Sequence, residues 1–273
     1  MSTPARVGLA AVIVAPILLV VALLLLANRQ PPPAVSQFDA VAFNRAIADG
    51  DARLAAGDFE AATDSYSQAA QANPLSPVPA LKIGNVLLAQ GEFQPAIEQY
   101  EAAIKQDASY AQAYFQIGEA YRLSGDASAA LTQYERTLRV DPAFVDAYIQ
   151  SGGIYQDRGE LARAEQLYNQ ALAAAVTNLR GRASALTRLG NLEALQGLTD
   201  QAIARYQQAQ QEDPSFVGAF IQLGQIYLAQ EQWDLALEQF KAAAQNAPGN
   251  ADAHFFLGQV SSRLGQMDQA EAE

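Results

Sequence analysis

The sequence has no cysteine among its 273 residues and only one histidine, His254. Without cysteine the chain can form neither a disulfide framework nor a thiolate metal site, and no residue can carry the lipid of an N-terminal lipoprotein. A cysteine-free chain suits oxidising and reducing compartments alike, so this absence leaves the compartment open.

Positive charge is also scarce. The chain carries 17 basic and 29 acidic side chains, for a net charge of −12, and two of the basic residues, Arg6 and Arg29, precede residue 38. The remaining chain is therefore strongly acidic and repels nucleic acid phosphates and anionic headgroups at long range. We expect no nucleic acid partner.

One long uncharged stretch stands near the N-terminus. Residues 8–27 read GLAAVIVAPILLVVALLLLA, and as a helix rising 1.5 Å per residue they would span about 30 Å, the thickness of a bilayer core. We predict a short N-terminal tail at residues 1–7, a transmembrane helix at 8–27, and a spacer and lead-in at 28–42, in which Pro31 to Pro33 favour polyproline II.

A cleaved signal peptide is the alternative for this segment. Its apolar region would be unusually long, and Leu25-Leu26-Ala27 is a poor small-x-small cleavage site. The short basic N-terminus and the long acidic remainder favour a single-pass protein with its N-terminus in the cytoplasm and its main domain in a periplasm or lumen.

The rest of the chain repeats itself. Segments such as GNVLLAQGEFQPAIEQYEAAI, from Gly84, and GEAYRLSGDASAALTQYERTL, from Gly118, align without gaps. The leading glycines recur every 34 residues, with one interval of 38, at Gly50, Gly84, Gly118, Gly152, Gly190, Gly224 and Gly258. A fixed period of this length is typical of stacked helix pairs.

Each recurrent residue has a packing reason. The leading glycine allows the second helix of a pair to approach closely, and a glycine seven residues later ends the first helix in the left-handed conformation. Glu231 replaces that second glycine in the sixth copy, so we expect a turn that is either slightly strained or differently shaped. The second helix carries a small alanine and, four residues on, an aromatic ring that we expect to fill the space between pairs: Tyr66, Tyr100, Tyr134, Tyr168, Tyr206 and Phe240. Prolines 74, 142, 214 and 248 follow the second helices.

This pattern resembles the tetratricopeptide repeat, over residues 43–273. The resemblance implies an all-α fold, a right-handed superhelical solenoid of about seven helix pairs, which here follows the single transmembrane helix predicted at residues 8–27. The repeats are predicted at 43–76, 77–110, 111–144, 145–182, 183–216, 217–250 and an incomplete 251–273.

Two places depart from the period. The fourth repeat has four extra residues within 171–183, which predict a longer second helix or a wider turn, either functional or a silent surface insertion. The last repeat stops at Glu273, partway through its second helix. A truncated sequence, a frayed helix or a covering partner would each explain that end.

We find no pattern for catalysis. His254 occupies the repeat position held by Tyr114, Tyr148 and Phe220, so we expect a packed aromatic substitute. No nucleophile is arranged around it, and the glycines are not spaced as a phosphate-binding loop. Acidic residues at helix starts complement the helix dipole. We expect no enzyme, no cofactor and no metal.

The resemblance implies that the first helices line a peptide groove through positions two, five, six, nine and twelve of each repeat, counted from the repeat boundaries above. Amides there could bond a peptide backbone and the aromatic rings could anchor apolar side chains. The alternative is that Asn85 and Asn191 only match a common family residue and that the glutamines are solvated surface. The groove candidates are Leu81, Lys82, Asn85, Gln112, Phe115, Gln116, Arg122, Ile149, Gln150, Arg188, Asn191, Ile221, Gln222, Gln225 and Phe255.

Chaperone-binding relatives hold a C-terminal carboxylate with a Lys/Asn/Arg clamp, whereas the corresponding positions here are Ile47 and Asp51. The clamp is absent, so we do not expect a cytosolic chaperone cofactor. From the predicted anchor and groove we expect a membrane-anchored adaptor, held to the lipid bilayer by residues 8–27, that binds proteins and assists assembly of a membrane-associated complex. The alternative is a structural component of an envelope complex, a homo-oligomer that self-associates through its uncapped C-terminal repeat.

Overall fold

The computed structural model describes residues 39–265, which contain thirteen α-helices and no strand. These residues confirm the all-α prediction; the handedness of the superhelix stays a prediction. The helices are α1 Ala40–Ala55, α2 Phe59–Ala72, α3 Val78–Ala89, α4 Phe93–Gln106, α5 Ala111–Leu123, α6 Ala127–Val140, α7 Val145–Asp157, α8 Leu161–Ala174, α9 Leu179–Leu195, α10 Thr199–Glu212, α11 Val217–Ala229, α12 Trp233–Asn246 and α13 Ala251–Arg263.

The helices stack in chain order. Odd-numbered helices are the first members of the pairs and even-numbered helices the second members, giving six complete pairs and the first helix of a seventh. Each helix packs on its neighbours in sequence, and some first helices also touch directly, as α9 does with α7 and α11. This nearest-neighbour packing is that of a solenoid.

Two predicted features fall outside the description. The predicted span at residues 8–27 and the end of the seventh repeat, residues 266–273, are not among the described residues. Between residues 39 and 265 no helix combines the length and the hydropathy that a bilayer crossing requires.

The helix boundaries follow from local chemistry. Asp58, Asp126 and Asn250 accept backbone N–H bonds at the starts of α2, α6 and α13, as N-cap residues do. Four prolines recur at one position of the repeat, two residues beyond the ends of α2, α6, α10 and α12: Pro74, Pro142, Pro214 and Pro248. At that position they cannot interrupt a helix. Glu231 has φ 59°, in the left-handed region that glycines occupy in the equivalent turns. Of the two predicted outcomes, a strained turn and a differently shaped turn, the strained turn is the one observed.

The four extra residues are in neither predicted place. α8 has 14 residues, the same as α10 and α12, while α9 has 17 against 13 in α7 and α11. The insertion is therefore one added turn at the start of α9, which begins four residues before the predicted repeat boundary. Asn178 caps this turn by accepting the Gly181 N–H at 2.8 Å. A Cβ on Gly181 would lie 2.8 Å from Asn178 Nδ2 and 3.1 Å from Val145 Cγ1, so the glycine makes room for the capping side chain and for packing on α7.

The core alternates glycine and an aromatic ring. The five tyrosines and Phe240 are at most 1% exposed. A Cβ built on Gly50, Gly84, Gly118, Gly152, Gly190 or Gly224 would fall 2.4–2.7 Å from Cε1 of the ring in its own pair. The predicted close approach of the second helix is confirmed, and the part of that helix that meets the glycine is its aromatic ring. The predicted packing between pairs is also present, since Tyr66 packs with Val86 of the next repeat.

Candidate functional site

Four of the five core tyrosine hydroxyls bond to position nine of their own repeat. Tyr66 donates to Asp51 at 2.7 Å, Tyr100 to Asn85 at 2.9 Å and Tyr206 to Asn191 at 2.8 Å; Tyr134 donates to Glu119. Burial, together with nearby Glu193, raises the pKa of Tyr206 to about 12, so the hydroxyl stays protonated and donates.

This row of bonds gives Asn85 and Asn191 a structural role. Their side-chain oxygens hold the tyrosine rings in place and are already engaged. Their amide nitrogens remain for a ligand, but the pairing with tyrosine accounts for both residues without one.

Position five is core and not groove, which corrects four of the predicted residues. Leu81, Phe115, Ile149 and Ile221 are only 5–9% exposed. Phe115 lies 4.9 Å from Phe144 and 5.6 Å from Tyr134 between ring centroids, so it cannot also anchor a ligand side chain. The neighbouring pair covers this position. The exception is Phe255 on α13, whose ring is 66% exposed.

Position six forms a continuous surface row on the first helices. Its members are half-buried or exposed side chains on α3, α5, α7, α9 and α11: Lys82, Gln116, Gln150, Arg188 and Gln222. Lys82 pairs with Asp51 at 2.8 Å. Within residues 39–265 the amides of Gln116, Gln150 and Gln222 have no protein hydrogen-bond partner, and the half-buried Gln112 and Gln225 share this property.

Arg122 is held by an acidic neighbour. Its Nη2 donates to Glu119 Oε2 at 2.7 Å, and the Glu119 side chain is 14% exposed. This hydrogen bond raises the pKa of Arg122. Desolvation and repulsion by Glu119 raise the pKa of Asp146 despite the opposing effect of Arg180.

A cleft of about 440 Å³ opens between α5, α7 and α9. It brings together three predicted groove residues, Arg122, Gln150 and Arg188. The rest of its lining includes Gly153, Gln156, Asp157 and Arg158. Of these, Gln156 stands at position twelve of the fourth repeat, one of the predicted groove positions, whereas Gly153, Asp157 and Arg158 were not named as groove residues. The doublet Gly152-Gly153 was an available signal, because the repeat pattern explains only the first glycine.

His254 fills its predicted aromatic position. Its Nε2 lies 2.9 Å from the Pro248 carbonyl oxygen, six residues back. Tyr148 and Tyr114 donate to the corresponding carbonyls of Pro142 and Ala108 at 3.3 and 3.4 Å. Over the described part of the chain, no group of three or more His, Asp or Glu side chains could hold a metal ion.

Comparison with protein families agrees with this architecture. A profile described as tetratricopeptide repeat matches residues 124–178, 152–215 and 221–273, and one described as TPR repeat matches residues 84–125. The first profile alone covers more than half of the chain. The chain belongs to the tetratricopeptide repeat family. Proteins of this family are generally protein-interaction scaffolds and are generally not enzymes.

Solved tetratricopeptide repeat structures share the fold. One from Parabacteroides merdae superposes with a TM-score of 0.58 at 18% identity, covering 84% of this chain and 89% of that one. PilF of Pseudomonas aeruginosa gives 0.58 at 16% identity, over 72% and 87%. PilW, described as a type IV pilus biogenesis factor, gives 0.57 at 19% identity, over 72% and 89%. At such low sequence identities, these similarities show a shared fold and nothing about function. A search of curated proteins finds no significant match.

Proposed function

We propose that this tetratricopeptide repeat protein is a membrane-anchored scaffold that binds extended segments of partner proteins along position six of its first helices. The observation that carries the proposal is the row of unpaired amides at Gln116, Gln150 and Gln222. An amide offers both a donor and an acceptor, which is what the N–H and C=O groups of a peptide backbone require.

The spacing of the row suits an extended chain. Packed helices lie about 8–10 Å apart, and an extended peptide advances about 3.3 Å per residue. One side chain of the row would then meet about every third residue of the partner. Contacts to the backbone impose little sequence preference, which fits a scaffold with more than one client.

The buried residues beneath the row support this use. Leu81, Phe115, Ile149 and Ile221 each precede a row residue by one position and are locked in the core. A rigid support reduces the entropy lost when the row orders a ligand. The row is therefore suited to binding without rearrangement.

We also propose how the protein is held at the membrane and which process it serves there. The uncharged stretch at residues 8–27 would insert in the bilayer, and the spacer at 28–42 would hold the solenoid away from the headgroups. With the solenoid in a periplasm or lumen, the protein would gather subunits of a membrane-associated complex. Fractionation of cells that express the full chain, or a chain without residues 1–37, tests the anchor: only the full chain should sediment with membranes.

Crosslinking in intact membranes, followed by mass spectrometry of captured proteins, tests the scaffold. We expect the triple variant Gln116→Ala, Gln150→Ala and Gln222→Ala to lose captured partners. The matched control removes three exposed amides from second helices, Gln94→Ala, Gln170→Ala and Gln207→Ala, and should keep them. Equal capture by the two triple variants would contradict the proposal.

Self-association through the seventh repeat is a second candidate, favoured by the exposed ring of Phe255 on α13. Position five is covered by the next pair in other repeats, so a second copy could cover it here. Sedimentation velocity of the full chain in detergent should then show a dimer that Phe255→Ser dissociates. A monomer at all concentrations would exclude this candidate.

A further inference from the structure

We infer that the cleft between α5, α7 and α9 is a binding site for the side-chain carboxylates of an acidic segment in the partner protein. The inference rests on the proposed function, because it gives one stretch of the partner a definite chemistry. It concerns this chain's fourth repeat, which differs from the others at position nine.

The cleft is basic in an acidic protein. Arg122, Arg158 and Arg188 line it together with a single carboxylate, Asp157. If Glu119, which pairs with Arg122, is included, one positive charge remains in excess, although the chain as a whole carries −12. A local reversal of sign in a concave surface attracts anionic groups.

The donors of the cleft are available. Arg188 is exposed and has neither a hydrogen-bond nor an ion-pair partner among residues 39–265. Arg158 donates from Nη2 to Ser128 Oγ at 3.1 Å, which places it without neutralising it. Guanidinium groups carry five donors each and bind carboxylates in a paired geometry.

The glutamines add further donors. Gln156 accepts the Tyr168 hydroxyl on its Oε1 at 3.0 Å, so its amide nitrogen is left to donate. Gln150 lines the cleft and has no partner in the described part of the chain. A lining of this kind, rich in donors, matches a carboxylate, which at neutral pH only accepts hydrogen bonds.

Gly153 makes the space. It lies inside α7 at position nine, where other repeats have Asp51, Asn85, Glu119, Asn191 and Gln225. A Cβ built on Gly153 would meet no atom within 4 Å. Neither packing nor a positive φ therefore requires glycine here, although glycine weakens a helix relative to alanine. A ligand that occupies this open volume would explain why the residue at this position is glycine.

The position of the cleft favours side-chain carboxylates over a C-terminal carboxylate. Gln116 precedes it and Gln222 follows it in the row at position six. The main chain of a bound segment can therefore continue in both directions, with acidic side chains entering the cleft as it passes. A free C-terminus would leave half of the row without a ligand.

Fluorescence anisotropy with the full chain in detergent tests the inference. The probe is a dye-labelled peptide, acetylated and amidated, in which Glu alternates with Ala. The comparison peptides replace every Glu by Gln, with the C-terminus either amidated or free. We expect the Glu peptide to bind at least ten times more tightly than either Gln peptide.

Two variants localise the binding. Arg188→Gln should weaken the Glu peptide about ten-fold, the size expected for losing one charge-assisted hydrogen bond. Gly153→Asn should weaken it similarly by filling the cleft. Arg136→Gln, the matched control at an exposed position of α6, should change binding less than two-fold. Circular dichroism should be the same for all three variants, since Arg188 and Arg136 are exposed and a Cβ on Gly153 would meet no atom within 4 Å.

Three results would overturn the inference: equal weakening by Arg188→Gln and Arg136→Gln, equal binding of Glu and amidated Gln peptides, or preferred binding of the free C-terminus. The membrane crosslinking separates this failure from failure of the scaffold. If Arg188→Gln keeps every captured partner and the triple glutamine variant loses them, the scaffold stands and the acidic site falls. If the wild-type chain captures no protein, the scaffold itself is wrong.

Discussion

The Tyr168 hydroxyl donates to Gln156 Oε1, twelve residues earlier in the chain, whereas Tyr66, Tyr100 and Tyr206 reach fifteen residues back. The shift follows from Gly153, which stands where the other repeats supply the acceptor and has no side chain to offer. The tyrosine turns to the next polar group along α7. One glycine thus opens the cleft and redirects the hydrogen bond that orients Gln156 beside it.

The two adjacent glycines of α7 should respond oppositely to alanine. In Gly152→Ala the new Cβ would lie 2.5 Å from Tyr168 Cε1, and the ring is fully buried, so we expect the free energy of unfolding to fall by about 1–3 kcal/mol. In Gly153→Ala the methyl enters open space, and we expect a gain of about 0.5–1 kcal/mol. Urea unfolding, with hydrogen exchange of α7, measures both. A loss of similar size in the two variants would contradict the assignment.

The sixth repeat should tolerate a tyrosine in place of Phe240. Phe240 occupies the tyrosine position of the sixth repeat, and Gln225, at position nine, has no partner among the described residues. We expect Phe240→Tyr to gain the hydrogen bond of the other repeats and to raise the free energy of unfolding by about 0.5–1.5 kcal/mol. The reverse change, Tyr206→Phe, leaves Asn191 without its donor and should lower the free energy of unfolding. Thermal and urea unfolding of the two variants measure whether each one raises or lowers it.

Glycine in place of Glu231 should relieve the backbone strain in this turn. The Glu231 φ of 59° is unfavourable for a residue with a Cβ, and the left-handed conformation costs about 1–2 kcal/mol. We expect Glu231→Gly to raise the free energy of unfolding by about 1 kcal/mol. Gly197→Ala, at the equivalent turn with φ 78°, should lower it by a similar amount. If both changes are neutral, the strain is not stored at this position.

The added turn of α9 should be visible in a carboxyl titration. Arg182 Nη2 donates to Glu212 Oε1 at 2.8 Å, and this bond holds the pKa of Glu212 below its ordinary value. Because the folded pKa is the lower one, the pair stabilises the protein above about pH 4.3, and the contribution is lost as the pH falls through the folded pKa.

We expect Arg182→Gln to raise the pKa of Glu212 towards its ordinary value, as measured by NMR titration of the side-chain carboxyl carbon. Arg180→Gln is the control in the same turn, because the Arg180 guanidinium lies 5.9 Å from the Phe216 ring centroid and does not bond Glu212. A shifted pKa in the control, or none in Arg182→Gln, would contradict the pairing.

The candidate site was only partly predictable. At position six, Gln116, Gln150 and Gln222 are half-buried and reach the surface, while their contact with a peptide stays a prediction. The prediction for position five was wrong: Leu81 and Phe115 were predicted as groove and are buried. A one-residue step along a helix turns a side chain by about 100°, and only the neighbouring pair decides which of two adjacent positions it covers.

The sequence by itself determined the helix pairs, their turns and the glycine–tyrosine core. These depend on short-range requirements, such as φ at Gly197, the proline stops and the room for a ring beside Gly190, which recur with the period. Only the tertiary structure decided where the four extra residues go, which acceptor Tyr168 uses and that Arg122, Arg158 and Arg188 share one cleft. Those relationships join different repeats or replace a missing side chain, so they depend on distances between helices that a linear pattern does not contain.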